Sequence, residues 1–171
     1  IHWIKLQDSS FSAEPVEMKF SDILKDLLPL HNRLAAEKNN TILVNVPENL
    51  SCTQDPVILK IILHNLLINA NKFTPKGTIS LVVNNTNGQL SMTIADSGVG
   101  MPDEIRDNLN QMRAVNSRKG TNKEAGWGLG YRLIIDLLRL CGGTLNVKSA
   151  EGQGTSIRIT LPDPLTETAT P

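Results

Sequence analysis

The dipeptide Asn87-Gly88 sits between two β-rich runs, Ile79 to Asn84 and Leu90 to Ala95. Asn-Gly favours the left-handed backbone of a tight turn, so these runs are expected to pair as an antiparallel hairpin. Leu145 to Ser149 and Ser156 to Leu161 flank Glu151-Gly152-Gln153-Gly154 and read as a second, closing hairpin. Helix signals lie around them. Asp55 followed by Pro56 combines a capping carboxylate with a proline at the first helical position, and predicts a helix running to about Phe73, stopped by Thr74, Pro75 and Gly77. Ser21 as a cap, with Asp22 in the first turn, predicts an earlier helix with an apolar stripe through Ile23, Leu24, Leu27 and Leu34, kinked at Pro29. Gly128 to Cys141 predicts a third, closed by Gly142 and Gly143. Val16, Met18 and Phe20 alternate as a short strand, and Thr41 to Val46 reads as another. The expected class is α+β: a two-layer α/β sandwich, with a mixed sheet covered on one face by about three helices.

A chain of 171 residues suffices for one domain with a sizeable core. Residues 1–15 read as the end of a helix and a polar linker, 16–162 as the domain, and 163–171 as a disordered tail. Residues 97–126 are polar and long for a loop, which suits a lid. The formal net charge of +0 argues against a nucleic-acid or membrane-surface binder. No apolar run approaches the roughly 20 residues needed to cross a bilayer. Cys52 and Cys141 are expected to be free thiols of a reducing cytosol. The chain opens on Ile1, so it is expected to be a piece of a longer protein, with any membrane anchor outside it.

Four segments carry candidate chemistry. On the helix before Thr74, Asn65, Asn69 and Lys72 fall within an arc of about 60°. Amide oxygens are hard ligands suited to Mg²⁺, and an ammonium suits phosphate. A solvated helix face shows the same stripe. Asp96-Ser97-Gly98-Val99-Gly100-Met101 follows an apolar strand: an aspartate there can accept from an exocyclic amine, or be an ordinary acidic turn. Gly126-Trp127-Gly128-Leu129-Gly130 precedes a helix, and can offer free N–H groups to phosphate or be a flexible helix entry. A long loop rather than a strand precedes it, so the dinucleotide fingerprint fits poorly. Glu151 to Ser156 reads equally well as a plain hairpin turn.

In this order the segments resemble the four nucleotide-binding boxes of the sensor histidine kinase catalytic domain, within the superfamily of gyrase, heat-shock chaperone, histidine kinase and mismatch-repair ATPases. HNLLINANKFTPKG is similar to the asparagine box, DSGVGM to the first glycine box, GWGLGYRLI to the second, and EGQGTSIRI to the terminal glycine-threonine element. The resemblance covers Phe20 to Leu161 and implies the Bergerat ATP-binding fold. It implies Asn69 as principal Mg²⁺ ligand with Asn65 assisting, and Lys72 at phosphate. It implies Asp96 as acceptor from the adenine amine, Gly98 and Gly100 shaping that pocket, and Gly126, Gly128 and Gly130 holding phosphates through backbone. Thr155 would support the adenine site through the Asp96 network or a water. Phe73, Met101 and Leu129, inside the same boxes, complete the expected nucleotide site.

The resemblance further implies ATP and Mg²⁺ as cofactors and phosphoryl transfer to a histidine on a separate dimerisation domain, with a response-regulator receiver downstream. The ATPase branches place a glutamate base one helical turn before the metal-binding asparagine. Here that position is Asn65, which argues against an ATP-driven clamp. His2, His31 and His64 are not expected to be the phosphoacceptor. The piece is expected to be cytoplasmic and monomeric, within a homodimeric and inner-membrane-anchored whole. Trp127 stands where a small residue is common and Tyr131 where leucine is common. No phenylalanine occurs from Met101 to Gly126. These departures keep open an alternative, a degenerate nucleotide-binding or docking module without kinase activity.

Overall fold

The hairpin at Asn87-Gly88 forms in the computed structural model, which describes residues 12–113 and 128–164. Asn87 and Gly88 take φ of 52° and 71°, the left-handed pair that the right-handed twist of a two-residue hairpin demands. The flanking strands are β4 (Thr78–Thr86) and β5 (Gln89–Asp96). The closing hairpin is β6 (Thr144–Ser149) with β7 (Thr155–Pro162). With β2 (Thr41–Asn45) they form a five-stranded sheet in the order β2-β4-β5-β7-β6. β2 runs parallel to β4 and the other neighbours are antiparallel, so the sheet is mixed.

The period of two along these strands separates the faces. Ile79, Leu81 and Val83 of β4, Leu90, Met92 and Ile94 of β5, and Ile157, Ile159 and Leu161 of β7 are buried. Their neighbours, among them Ser80, Thr93, Arg158 and Lys148, lie on the open face. Helices cover only the apolar side. α1 (Phe20–Glu37) packs on β2 and on α2 (Pro56–Phe73), α2 lies over β4 and β5, and α4 (Gly128–Leu140) packs on α2 and β6. Asp55 caps α2 as its residue type predicts, accepting from Val57 N at 2.8 Å and Ile58 N at 3.1 Å. α4 ends in a Schellman closure, with Gly143 N donating to Leu138 O at 2.7 Å and Gly142 N to Arg139 O at 3.4 Å.

Several local expectations are corrected. α1 begins at Phe20 after an N-cap at Lys19 that makes no side-chain cap bond, so Ser21 is inside the helix rather than its cap. Pro29 sits within α1, which continues through it to Glu37. An unexpected strand, β3 (Ser51–Gln54), pairs with β1 (Val16–Lys19) as a separate antiparallel ribbon. The stretch read as a loop from Ser97 contains a helix, α3 (Asp103–Asn110). Leu109 is its fully buried anchor, and its polar end ties down the outer strand of the sheet: Asn110 Nδ2 donates to Val147 O at 3.0 Å, and Asn110 Oδ1 accepts from Val147 N at 2.6 Å. The chain-end helix expected over residues 1–8 lies outside the described residues. Asp163 N donates to Gly88 O at 2.6 Å, closing the sheet beyond β7.

α1 and α2 also share a histidine pair. His31 Nε2 lies 3.1 Å from His64 Nδ1, with the rings edge to face. Burial, and then the neighbouring His64, push the His31 imidazole down to about 4. The neutral ring is therefore the folded form. Its contribution is complete above the ordinary histidine range and is lost as pH falls from about 6.5 through about 4. Urea unfolding is expected to show a loss on the order of 2 kcal/mol across that window. His31→Phe should flatten the profile, and a wild type equally stable at both ends would contradict the assignment.

Candidate functional site

The register of β5 and β7 pairs Asp96 with Thr155 at the sheet's end. Period two then places Ile94 and Ile157 behind them on the covered face. α2 crosses above with Leu66, Asn69, Ala70 and Phe73, a helical i, i+3, i+4, i+7 stripe. These eight side chains and Tyr131 of α4 enclose one cavity. Its free volume is about 10 Å³, room for roughly one water.

Burial raises the Asp96 carboxyl above its usual range, opposed by hydrogen bonds to its charged form from the backbone N–H of Gly98 and of Thr155. The Gly98 bond is 2.9 Å long. Thr74 is fully buried beside Asp96, and its hydroxyl lies near enough to favour the carboxylate. It is not in hydrogen-bond geometry with any partner, so this hydroxyl is an orphan beside the Asp96 carboxyl. Tyr131 is 2% exposed. Burial, then the charge of Asp96, hold its phenol far above the usual range, opposed by a hydrogen bond between its hydroxyl and the Asn69 amide.

The loop from Asp96 to Met101 is stitched to its surroundings by backbone. Val99 N donates to Phe73 O at 3.0 Å, and Gly152 N donates to Val99 O at 2.7 Å. A Cβ on Gly98 would run into the Phe73 carbonyl, and one on Gly100 into the Ala150 carbonyl. Ser149, which carried no signal in the sequence, is the hub of the turn. Its hydroxyl accepts from Met101 N and donates to Gly154 O, each at 2.9 Å. It has one proton to give, so the Thr155 hydroxyl, also 2.9 Å away, donates to it. Thr155 thus reaches Asp96 through its backbone N–H rather than its side chain.

Asn69, Phe73, Asp96 and Thr155 of the expected site line the cavity, and other members do not. Asn65 Nδ2 donates to Ile61 O at 2.8 Å, one turn back. Its Oδ1 lies 3.1 Å, and Asn69 Nδ2 3.6 Å, from the point where a Cβ on Gly130 would stand, so both amides converge on the start of α4. Lys72 Nζ sits 5.1 Å from the Phe73 ring centroid, and its carbonyl accepts from Lys38 Nζ at 2.9 Å. Met101 is 0% exposed and belongs to the core, whereas Leu129 is 70% exposed and points outward. Gly128 is buried at the start of α4, and Gly126 lies outside the described residues. Leu66, Ala70, Ile94 and Ile157 carry no polar group to mark them in the sequence, yet they form the cavity's apolar walls. Their spacing from Asn69, Asp96 and Thr155 is the signal that finds them.

The residues fit the base end of an adenine nucleotide: a desolvated acceptor, an orphaned hydroxyl and an apolar slot. They also fit Mg²⁺ in type, with two amide groups at the rim. Among the described residues no helix is long and apolar enough to cross a membrane, and no group of three or more His, Cys, Asp or Glu could hold a metal.

A family model described as histidine kinase-, DNA gyrase B-, and HSP90-like ATPase matches residues 54–165. The chain is 27% identical over 166 residues to the autoinducer 2 sensor kinase/phosphatase LuxQ of Vibrio parahaemolyticus, covering 92% of this chain and 19% of LuxQ. It is 26% identical over 162 residues to the adaptive-response sensory kinase SasA of Crocosphaera subtropica, covering 92% of this chain and 42% of SasA. The chain thus spans less than half the length of these curated relatives. Among solved structures, full-length ShkA in complex with AMPPNP matches with a TM-score of 0.77 at 25% identity, over 94% of this chain and 34% of ShkA. The nucleotide-free catalytic domain of histidine kinase ThkA matches with a TM-score of 0.72 at 21% identity, over 88% of this chain and 96% of that one, a likeness of fold alone.

Proposed function

The chain belongs to the family of histidine kinase-, DNA gyrase B- and HSP90-like ATPases, and from that premise we propose that it is the catalytic domain of a two-component sensor kinase. In this reading it binds Mg·ATP and presents the γ-phosphoryl group to a histidine on a separate dimerisation domain of the same protein, with a response-regulator receiver downstream. The observation that carries the reading is the meeting of Asp96, Asn69 and Thr155 around one cavity at the sheet's end.

Asp96 accepts from the adenine amine, its carboxylate held in place by Gly98 N–H and Thr155 N–H. Phe73, Ile94 and Ile157 give the base an apolar slot that excludes water. Asn69, with Asn65, would hold Mg²⁺ through amide oxygens, and the ion would supply neutralising charge at the phosphates. Lys72 and backbone N–H groups at the start of α4, where Gly128 and Gly130 stand, add positive potential at the triphosphate end. No carboxylate stands one turn before Asn69: that position is Asn65, which cannot take a proton from water. The γ-phosphoryl is thereby kept for an imidazole rather than spent on hydrolysis. A cytoplasmic location beside a membrane-anchored sensor region is part of the same proposal.

Mixing the chain with its own histidine-bearing dimerisation domain and γ-labelled ATP should yield phosphohistidine. Asn69→Ala should lower the transfer rate by about 10²-fold or more. Saturable Mg·ADP binding without any transfer would instead identify a nucleotide-sensing module.

A further inference from the structure

The cavity that the proposed function assigns to the base is nearly closed, and one of its walls is a tyrosine. The free space of about 10 Å³ has room for roughly one water, far below what a purine needs. Tyr131 is one of the side chains that close it. It is 2% exposed and stands in the first turn of α4. It lines the cavity together with Leu66, Ala70, Ile94 and Ile157. Its hydroxyl reaches the Asn69 amide and sits within the field of Asp96. A flat ring with a polar edge thus answers the walls and polar groups that a base would answer.

We propose that Tyr131 is an internal stopper of the base pocket: in the empty domain its ring occupies the space between Asp96 and Asn69, and a purine nucleotide enters only as that ring swings out. The inference rests on the nucleotide reading of the site. Its place on the chain suits the movement. The N–H groups of a helix's first turn have no partners within the helix, so that turn shifts at less cost than the helix middle. Gly130, the preceding residue, lacks the Cβ that would press on the Asn65 and Asn69 amides of α2. A stopper changes affinity without changing contacts to the ligand. The apparent dissociation constant rises by the reciprocal of the fraction of molecules whose pocket is open. A smaller residue at this position leaves the pocket open and removes that factor.

Tyr131 is the chain's sole tyrosine, so it can be followed chemically. Mg·ADP is titrated calorimetrically into the wild type and into Tyr131→Leu, with thermal melting to check that the variant folds. The variant is expected to bind roughly tenfold tighter. In parallel, nitration of the wild type by tetranitromethane is expected to be slow in the empty protein and several-fold faster at saturating Mg·ADP. If Tyr131→Leu does not fold, the nitration arm decides alone. Equal or weaker binding by a folded variant, or nitration that saturating nucleotide leaves unchanged, overturns the stopper while leaving the nucleotide site standing. Binding by the variant but not by the wild type supports the stopper in its strongest form. No binding by either removes the nucleotide reading and this inference with it.

Discussion

Asp96→Asn is expected to weaken Mg·ADP binding by about 10²-fold while the melting temperature holds or rises. The two halves of that result have one cause. Asp96 is desolvated at the sheet's end, which lifts its carboxyl above the usual range despite the N–H groups of Gly98 and Thr155. For an aspartate raised on folding, the sign is unfavourable at neutral pH: the charged form costs stability there, and the cost disappears only as pH falls through the raised value. The neutral amide escapes that cost and can still accept from Gly98. For a ligand, the same change removes a charged acceptor and sets an N–H₂ group against an incoming amine, and a lost charged hydrogen bond in a dry pocket is worth about 1.5–3 kcal/mol. Calorimetric titration and thermal melting at pH 7 read both halves. Unchanged affinity would remove Asp96 from the base site, and a large fall in melting temperature would make it a structural residue instead.

Gly100→Ala is expected to cost about 3 kcal/mol of stability or more. Gly100 has φ of 70°, and any Cβ there collides with the Ala150 carbonyl. The backbone conformation alone costs roughly 1–2 kcal/mol for a residue with a side chain, and the collision adds an overpacking cost of about 1–3 kcal/mol. Neither side can yield freely, because Val99 O accepts from Gly152 N and Met101 N donates to Ser149. Gly152→Ala is the control. Its φ is 76°, but nothing lies within 4 Å of the added carbon, so only the backbone cost of roughly 1–2 kcal/mol is expected. Urea denaturation of the two variants separates the effects. Similar stabilities would show that the turns 96–101 and 149–154 are not locked together.

Signals that act within a few residues were legible in the sequence. Asp55-Pro56 started α2 where it was expected and Asn87-Gly88 turned β4 into β5, because a cap and a left-handed turn are decided by their own residues. β3 was not legible: Ser51-Cys52-Thr53-Gln54 has no apolar alternation, and it is a strand only because β1 pairs with it. α3 was hidden similarly, since its sequence is largely polar and its packing hangs on Leu109 and Asn110. At the site, the motifs marked Asn69, Asp96 and Thr155, which the fold brings together. The stripe of Asn65, Asn69 and Lys72 was read as one face, yet only Asn69 reaches the cavity. The other two stand on its rim, because a helix crossing a sheet end shows the pocket a neighbouring arc, Leu66 through Phe73. Ser149 and the inward turn of Tyr131 depend on tertiary packing and left no mark in the local pattern.

The amide of Asn110 has a bearing on how copies of this domain behave together. A strand at a sheet margin offers unused donors and acceptors, and a second molecule can extend the sheet by adding its own strand there. At Val147 one side-chain amide already plays the missing neighbour, giving a proton to the carbonyl and taking one from the N–H. Continuation of the sheet past β6 would first have to peel α3 away. The opposite margin, β2, leaves Leu43 and Val44 55% and 40% exposed. Crowding of this domain at high concentration should therefore begin from that side, with the β6 side inert.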